Sequence, residues 1–475
     1  MRSAPIALAT LAALSLTACA TARKADVRLP GAYETPVGAA PAPPPGALKL
    51  DTWWTVYGDA ELNGLVEQAL ARNPDIRTAR ARLAEAKAQR VEAVLKYLPQ
   101  GDATYLSRRT HSDQIGGARV IVPGFSNSGA SVDQSANFNV SWEVDPFGRG
   151  FFAGAAANAE VAEVRYAYEA ARAGIAAQTA DAWFQAKGLA IQLADAQETA
   201  RIEQDLYDVA TKRAQIGIAA TSDADRVAGD LAQAKAQVEG LTAQLQVEKR
   251  AILILAGRVV EPTANIDAPA HVDPPPAVPV SLPSELLQRR PDVRQAQEAL
   301  RSQKNQKILD ALAIFPSYNF TPGLGWQKVK QTGYSSTSQS WTLGGTLTQP
   351  VLSIPRLLAE WKAQDARTEQ AVTAYEKSVQ TAFQEAEGAL VNLEADRRRV
   401  ALLADGEARA HRAYTASRLG YERGLTDLTT TLQAEQSWRS VRTQLTSAEV
   451  QALRRSVQAY KAIGGGWPAE TYAAK

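Results

Sequence analysis

Apolar residues recur at alternating spacings of three and four along two long stretches of the chain. This spacing places them on one side of a helix and predicts helices that pack as a coiled coil or bundle. The frequent alanines on these stripes predict close approach between neighbouring helices. The pattern alone does not indicate what function such a coiled coil or bundle would have. The stripes consist of Val227, Leu231, Ala234, Val238, Leu241, Leu245 and Ile252, and of Val372, Tyr375, Val379, Ala382, Ala386, Ala389, Leu393, Val400 and Leu403.

Two of the predicted helices are very long. One runs from about residue 151 to residue 216 and the other from about residue 356 to residue 423. At ~1.5 Å per residue each would extend close to ~100 Å. Gly217 and Gly424 follow them directly. Because glycine is the residue that most often ends a helix, we expect the chain to turn there into two helical hairpins.

Apolar and polar residues alternate one by one in two shorter stretches. Phe138, Val140, Trp142 and Val144 alternate with Asn137, Asn139, Ser141 and Glu143, and residues 340–348 repeat the pattern. Weaker partner strands are predicted at residues 104–109 and 318–330. This alternation is typical of barrel strands between lipid and a wet lumen, although a soluble sandwich shows it too. Since the smallest barrels need ~8 strands, four would require several chains to share one barrel.

The chain repeats itself. The segment "NPDIRTARARL" at residues 73–83 returns as "RPDVRQAQEAL" at residues 290–300, 217 positions later. Both copies lead to a proline, two strand patterns and a helical hairpin, so we predict an internal duplication. The predicted divisions are a signal peptide at 1–18, a lipidated tether at 19–50, repeat one at 51–257, a Pro-rich linker at 258–282, repeat two at 283–467 and a tail at 468–475.

The amino terminus predicts export. A short apolar stretch at residues 6–16 precedes "LTAC", which ends at Cys19. This arrangement is similar to a bacterial lipoprotein signal, in which the cysteine becomes the amino terminus and carries a diacylglycerol group and an amide-linked palmitate-like chain. An ordinary signal with an incidental cysteine is the alternative. Because Ala20 is not the Asp that commonly keeps such lipoproteins in the inner membrane, we expect an outer-membrane location.

Composition excludes several functions. Lys and Arg number 52 against 50 Asp and Glu, and the signs are interspersed, so nucleic acid is not an expected partner. Cys19 is the only cysteine, so no disulfide can form within the chain. The three histidines, His111, His271 and His411, are too scattered to argue for a metal site or a catalytic triad. We therefore predict no enzyme activity, no metal and no cofactor.

Several ordered motifs resemble those of TolC-like outer membrane factors, in particular the lipoprotein branch that serves resistance-nodulation-division efflux pumps. The resemblance covers nearly all of the mature chain and rests on "TWWTVYGDAEL", "NPDI", "SWEVDPFGR", "LPSELLQRRPDVRQAQEAL", "FPS", "LTQP" and "YKAIGGGW". It implies a mainly α fold with a small β part, in which each internally duplicated chain supplies four strands and long helical hairpins. A homotrimer would then form a twelve-strand outer-membrane barrel and a twelve-helix periplasmic tunnel.

The resemblance also implies partners and a function. The trimer would dock a periplasmic membrane-fusion adaptor protein and, through it, an inner-membrane resistance-nodulation-division pump. The protein would be a passive exit duct for small molecules, held in outer-membrane lipid. The cargo and the identity of the pump are not predicted. The alternative is a lipid-anchored periplasmic coiled-coil scaffold without a pore, which would not need duplicated strands.

The resemblance places a gate near the two glycine turns. Asp223 and Tyr421 occupy the positions at which family members hold the tip closed by hydrogen bonds, within a chain or between chains. A helix-capping role for Asp223 is the alternative. Family members often carry charged residues one to three turns past the second glycine. The matching positions here are Thr426, Thr430 and Gln433, so an acidic selectivity ring is not expected at these positions. Further gate candidates are Asp225, Arg226, Asp427 and Gln433, and adaptor-contact candidates are Ala219, Ala220, Thr221, Leu425 and Thr426.

Overall fold

The structure is a computed structural model that describes residues 25–34, 50–113, 115–116, 129–218, 220–279, 283–331 and 333–468. The predicted signal peptide, Cys19 and the Pro-rich part of the tether lie outside the described residues. The described chain contains a 3-10 helix at Leu50–Tyr57 and these helices and strands: α1 Ala60–Arg72, α2 Pro74–Leu95, β1 Gln100–Ser112, β2 Gly129–Val144, α3 Arg149–Gln215, α4 Thr221–Leu255, α5 Pro291–Leu312, β3 Ser317–Gln331, β4 Tyr334–Thr348, α6 Ile354–Glu422 and α7 Leu428–Ala462.

The chain forms two compact units. The first contains Leu83–Glu163 and Gln297–Ala374, and the second contains Ala25–Arg82, Val164–Ala296 and Tyr375–Lys475. Each unit draws on both halves of the sequence. The two compact units therefore do not correspond to the two predicted repeats, and the division of the sequence into repeats stays a prediction. In the described part of the chain, no helix has an apolar stretch long enough to cross a lipid bilayer.

Unit one holds a four-stranded antiparallel sheet in the order β1-β2-β3-β4. The register pairs Ala103 with Phe138, Phe138 with Leu324, and Leu324 with Trp341, so these side chains form one row. We call the side on which this row lies the apolar face. It carries Tyr105, Phe138, Val140, Trp142, Val144, Tyr318, Phe320, Leu324, Trp326, Trp341, Leu343 and Leu347.

The other side, the polar face, is lined mainly by Asn, Ser, Thr and Gly, and Leu106 is an exposed apolar exception. The predicted alternation in β2 and β4 is confirmed. The strands themselves are longer than predicted, since β1 extends over Gln100–Ser112 and β2 begins at Gly129. Their turn ends are rich in Ser, Gln and charged residues, so backbone pairing continues where the apolar alternation has faded.

The "SWEVDPFGR" motif joins the sheet to α3. The Asp145 carboxylate accepts from the Gly150 N–H at 2.7 Å at the start of α3. Arg149 pairs with Glu143 at 3.0 Å and donates to the carbonyls of Leu312 and Phe315 at 2.9 and 2.7 Å. One guanidinium thus binds two carbonyls at and just after the end of α5, and the Leu312 carbonyl also accepts the Phe315 N–H at 3.1 Å.

The core of unit two lies around the first helices of the chain. Trp53 and Tyr57 pack against Phe184 and Tyr460, with Trp53 stacked on Tyr460 at 5.6 Å between ring centroids. Most positions of the heptad-like stripes are buried, with Val227, Val379 and Ala386 each 3 % exposed or less, whereas Val400 and Leu403 at the end of the second stripe are partly buried. Leu390, which is fully buried, also belongs to the core around Trp53, and the predicted Ala389 packs against that core while partly buried.

The segment at residues 25–34 also packs into unit two, which the sequence did not predict. Val27 and Leu29 contact a cluster that contains Val293 and Val379. Tyr33 stacks on Phe383 at 5.9 Å. The backbone N–H groups of Asp26 and Glu34 donate to carboxylates of Glu376 and Glu387 on α6, at 2.8 and 2.9 Å. Residues 25–34 of the predicted tether therefore follow α6 for several turns.

The duplication is visible in a repeated contact. Asn73 donates from its side chain to the Leu255 carbonyl at 3.1 Å, and Arg290, its counterpart, donates to the Ala462 carbonyl at 3.3 Å. In both copies a polar side chain that precedes a helix (α2 or α5) satisfies a carbonyl at the end of the helical hairpin (α4 or α7). Arg290 needs further partners for its charge and pairs with Asp292 and Glu385, both at 2.6 Å.

Two carboxyl groups are buried together where α3 packs against α7. Glu203 is 2 % exposed and Glu435 is 1 % exposed, and Nη1 of Arg439 lies 3.0 and 3.2 Å from one oxygen of each. The other oxygen of Glu203 has no donor when both groups are ionised. Burial, followed by repulsion from Glu435, raises the pKa of Glu203 to about 8, and burial also raises the pKa of Glu435. A proton shared by the pair satisfies the remaining oxygen.

We predict that replacing Glu203 by Gln raises stability at alkaline pH. The folded chain binds this proton more tightly than the unfolded chain, whose Glu pKa is near the ordinary 4.5. The free energy of unfolding is therefore highest below that value and decreases as the pH rises toward about 8. The Glu203→Gln variant has no carboxyl group to ionise at this position, so its free energy of unfolding should not decrease in this way. At about pH 9 it should exceed that of the parent protein by on the order of 2 kcal/mol.

Thermal unfolding followed by circular dichroism at about pH 5 and about pH 9 checks this expectation. Glu198→Gln, a change at a more exposed carboxylate five residues earlier on α3, is the matched control and should not reproduce the effect. Parallel pH profiles for Glu203→Gln and the parent protein would contradict the shared proton.

A second prediction concerns Gly464, which has a φ of +85° and ends α7. A Cβ there would lie 2.7 Å from the carbonyl oxygen of Arg289, whereas a Cβ at Gly217, with a φ of +78°, meets no atom within 4 Å. Gly217→Ala should cost only the left-handed backbone penalty of about 1–2 kcal/mol. Gly464→Ala should cost about 2–5 kcal/mol because the clash adds to that penalty. Equal losses in melting temperature would contradict this comparison.

Candidate functional site: the two hairpin turns

The first hairpin turn follows α3. Gly217 has a φ of +78°, and its N–H donates to the Ala214 carbonyl at 3.1 Å. The N–H of Ile218 reaches back to the Arg213 carbonyl at 3.0 Å. These two bonds form a Schellman motif, which requires a left-handed residue and satisfies the last carbonyls of the helix. The predicted turn at Gly217 is therefore confirmed.

The second hairpin turn is a structural copy of the first. Gly424 has a φ of +76°, and its N–H donates to the Tyr421 carbonyl at 3.0 Å. The N–H of Leu425 donates to the Gly420 carbonyl at 2.7 Å. The two glycines lie 207 positions apart, and so do Gly257 and Gly464, which end α4 and α7. Both hairpins thus end their helices by the same device.

The helices that leave the turns begin differently. Asp427 caps α7, since its side chain accepts from the Thr430 N–H at 2.7 Å, and this hydrogen bond lowers the pKa of Asp427. The hydroxyl of Thr426 donates to the Ser417 carbonyl at 3.0 Å and ties the turn to α6. By contrast, α4 has Ala220 as its N-cap residue and no side-chain cap.

The alternative capping role of Asp223 is wrong. The helix begins at Thr221, so Asp223 lies in its first turn, where it donates its own N–H to the Ala220 carbonyl at 3.1 Å. Its carboxylate there interacts favourably with the positive end of the helix. Within one chain no hydrogen bond joins Asp223 to Tyr421. A bond between chains stays a prediction.

A contact between the two hairpin turns involves a residue that the sequence did not single out. Arg213, in the last turn of α3, donates from Nη2 to the Tyr421 carbonyl at 3.1 Å. Its guanidinium carbon also lies 4.5 Å from the centre of the Tyr421 ring. Tyr421 is 5 % exposed and packs in an apolar cluster with Leu206, Val227 and Leu428. A cation–π contact and a charge-assisted hydrogen bond thus hold one helix end to the other.

The remaining candidates lie on the surface of these turns. Leu425 is 78 % exposed, which is unusual for a large apolar side chain. Thr426 is partly buried. Ala219 lies outside the described residues, as does Cys19. The exposed candidates are Ala220, Thr221, Asp225, Arg226, Leu425, Asp427 and Gln433.

The chain is similar along nearly its whole length to known outer-membrane proteins. It is 27 % identical to the outer membrane protein OprJ of Pseudomonas aeruginosa over 97 % of this chain and 95 % of that protein. It is 26 % identical to the pyoverdine export outer membrane protein OpmQ of the same species over 89 % of each. Its fold matches the crystal structure of the Campylobacter jejuni CmeC outer membrane channel with a TM-score of 0.81, at 20 % identity over 95 % of this chain and 97 % of that one.

The family comparison agrees with the motifs and with the fold. The described architecture is mainly helical with one small antiparallel sheet, as the resemblance implied. A family model described as "Outer membrane efflux protein" matches residues 65–258 and 282–465, which is most of the chain. The protein therefore belongs to the outer membrane efflux protein family.

Proposed function

We propose that this protein is the outer-membrane channel component of a tripartite efflux pump. It acts as a passive exit duct that carries small molecules from an inner-membrane pump to the exterior and performs no catalysis. Membership of the outer membrane efflux protein family supports this function. The structural observation that carries it is a four-stranded sheet with one apolar face, one polar face and two unpaired edges.

The two edges explain why the proposed duct needs several chains. Within the described residues, strands β1 and β4, of 13 and 15 residues, each pair on one side only. In lipid every backbone N–H and C=O needs a partner, so an open edge is unfavourable. Pairing β4 of one chain with β1 of the next satisfies both edges. Three chains then close a barrel of about twelve strands, above the ~8 of the smallest known.

The two faces suit the two environments of such a wall. The apolar face presents exposed Leu324, Trp341 and Leu343, each more than 60 % exposed in the single chain. Aromatic residues lie at both ends of this apolar band, as they do at membrane interfaces. The polar face offers Ser, Thr, Asn and Gly to the lumen. It has few apolar groups that could hold a cargo, so substrate choice belongs to the pump.

The hairpin turns are the proposed place of gating and docking. Exposed Ala220, Thr221 and Leu425 offer contacts to a periplasmic adaptor protein. The Arg213–Tyr421 contact holds the two hairpins of one chain together, so it must break or slide when the turns move apart. Adaptor binding that favours the separated state would then shift the population toward the open duct.

We predict that the purified protein is a trimer. Light scattering in detergent should give a protein mass three times that of one chain. An unheated sample should migrate as the trimer on a denaturing gel and as one chain after boiling, because the paired edges resist detergent. A single-chain mass in mild detergent would contradict edge pairing and would leave the lipid-anchored scaffold as the better function.

A second prediction concerns the gate. Loss of the Arg213 contact removes about 1–3 kcal/mol of stabilisation from the closed state. Arg213→Ala should therefore raise the open fraction of single channels in planar bilayers by roughly tenfold over the parent. Arg201→Ala is the matched control, since Arg201 lies on the same helix but is exposed, and its ion pairs in the described part of the chain are with Glu198 and Asp205.

The outcomes separate the two candidate functions. Small parent currents that increase in Arg213→Ala alone support a duct with this gate. Equal currents from all three forms would remove Arg213 from the gate and retain the duct. An absence of current from every form, with membrane insertion verified by protease protection, would contradict the duct.

A further inference from the structure

The apolar face of the sheet changes character near one end. Beyond the row that contains Tyr105 and Trp326, the next positions on the same face are Lys328 and then Arg109 and Lys330. The register pairs Gln134 with Lys328, and pairs Val132 with both Arg109 and Lys330. Successive rows lie about 7 Å apart and alternate strands about 10 Å apart, so the three cations form one compact cluster. We call Arg109, Lys328 and Lys330 the basic cluster.

No acidic residue of the strands shares this face. Asp102, Asp133 and Glu143 all fall on the polar face, because each is one residue out of phase with the apolar row. Among the described residues, none of the three cations takes part in an ion pair. Within the strands, the acidic residues are therefore confined to the polar face. Arg108, the neighbour of Arg109, points to the polar side and lies opposite Asp133.

The basic cluster lies at the end of the sheet that faces away from the helices of unit one. Strand β1 starts and β2 ends at the helical side, close to α2 and α3. The other end carries the β1–β2 connection and the turn at Gly333. If the sheet spans the outer membrane as proposed above, that end lies in the outer leaflet. The aromatic row of Tyr105 and Trp326 then lies at the interface, and the cations lie just beyond it, at headgroup depth.

We propose that the basic cluster binds the phosphate groups of phosphorylated glycolipid in the outer leaflet. Three unpaired cations beside an apolar band match a lipid that has several acyl chains and an anionic headgroup. Arg109 supplies the planar donor geometry that suits phosphate, and the two lysines supply flexible charges on long apolar stems. This inference rests on the proposed membrane function and adds the lipid class that surrounds the duct.

The test uses the full-length protein in phosphatidylcholine vesicles that contain a trace of dansyl-labelled lipid A. Energy transfer from the tryptophans reports enrichment of the lipid around the protein, since Trp326 and Trp341 lie on the same face as the cluster. The parent should show transfer well above that for dephosphorylated lipid A, and salt should reduce the difference. The triple variant Arg109→Gln, Lys328→Gln, Lys330→Gln should weaken the enrichment at least tenfold.

A charge-matched control removes three cations elsewhere. Arg108→Gln, Arg201→Gln and Arg409→Gln together should leave the enrichment as in the parent. Enrichment retained by the basic-cluster variant, lost equally in the control, or equal for dephosphorylated lipid A would overturn the inference. Conductance in neutral bilayers keeps the two proposals apart: conducting variants with unchanged lipid A enrichment reject the lipid site alone, whereas an absence of conductance in the parent rejects the duct.

Discussion

The end of each long helix is the constraint on which the rest of the structure depends. A helix leaves its last carbonyls without intrahelical partners. A glycine in the left-handed conformation lets its own N–H and that of the next residue donate back to two of these carbonyls. Gly217, Gly257, Gly424 and Gly464 all do this, with φ between +70° and +85°. Because the device recurs at constant spacing, α4 and α7 both have 35 residues, and α3 and α6 have 67 and 69. Two hairpins of nearly equal length follow.

Equal hairpins allow the same contacts to be made twice with different side chains. Asn73 and Arg290 reach equivalent carbonyls, yet only the arginine brings a charge that Asp292 and Glu385 must balance. The geometry of the contact has therefore been kept while its chemistry has diverged. Duplication explains this directly, because a position fixed by backbone geometry accepts any donor of sufficient reach.

The features that local sequence controls were predictable. The glycine turns and the long helices follow from residue type and apolar spacing, and the structure confirms them within two residues. Strand ends were not predictable, because Ser-rich and Gln-rich pairs extend the ladder where alternation gives no signal. The capping role considered for Asp223 was wrong because the exact first residue of α4 was not predictable. The helix begins at Thr221, which places Asp223 inside the first turn. Contacts between distant helices, such as that of Arg213 with Tyr421, depend on which side of each helix faces the other. A single sequence does not give that orientation.

Those distant contacts determine how the hairpins are held together. In unit two, Arg213 joins α3 to α6, and the Glu203, Glu435 and Arg439 group joins α3 to α7. Both links are polar, and the apolar cluster beside them, which includes Leu206 and Trp438, is smaller than the one around Trp53. A large apolar core would release much free energy on packing and would fix the helices firmly. These polar links depend on hydrogen-bond geometry and on one shared proton, so a small displacement or a change of protonation weakens them. The helices at this end of the bundle are therefore best suited to separate while those around Trp53 stay packed.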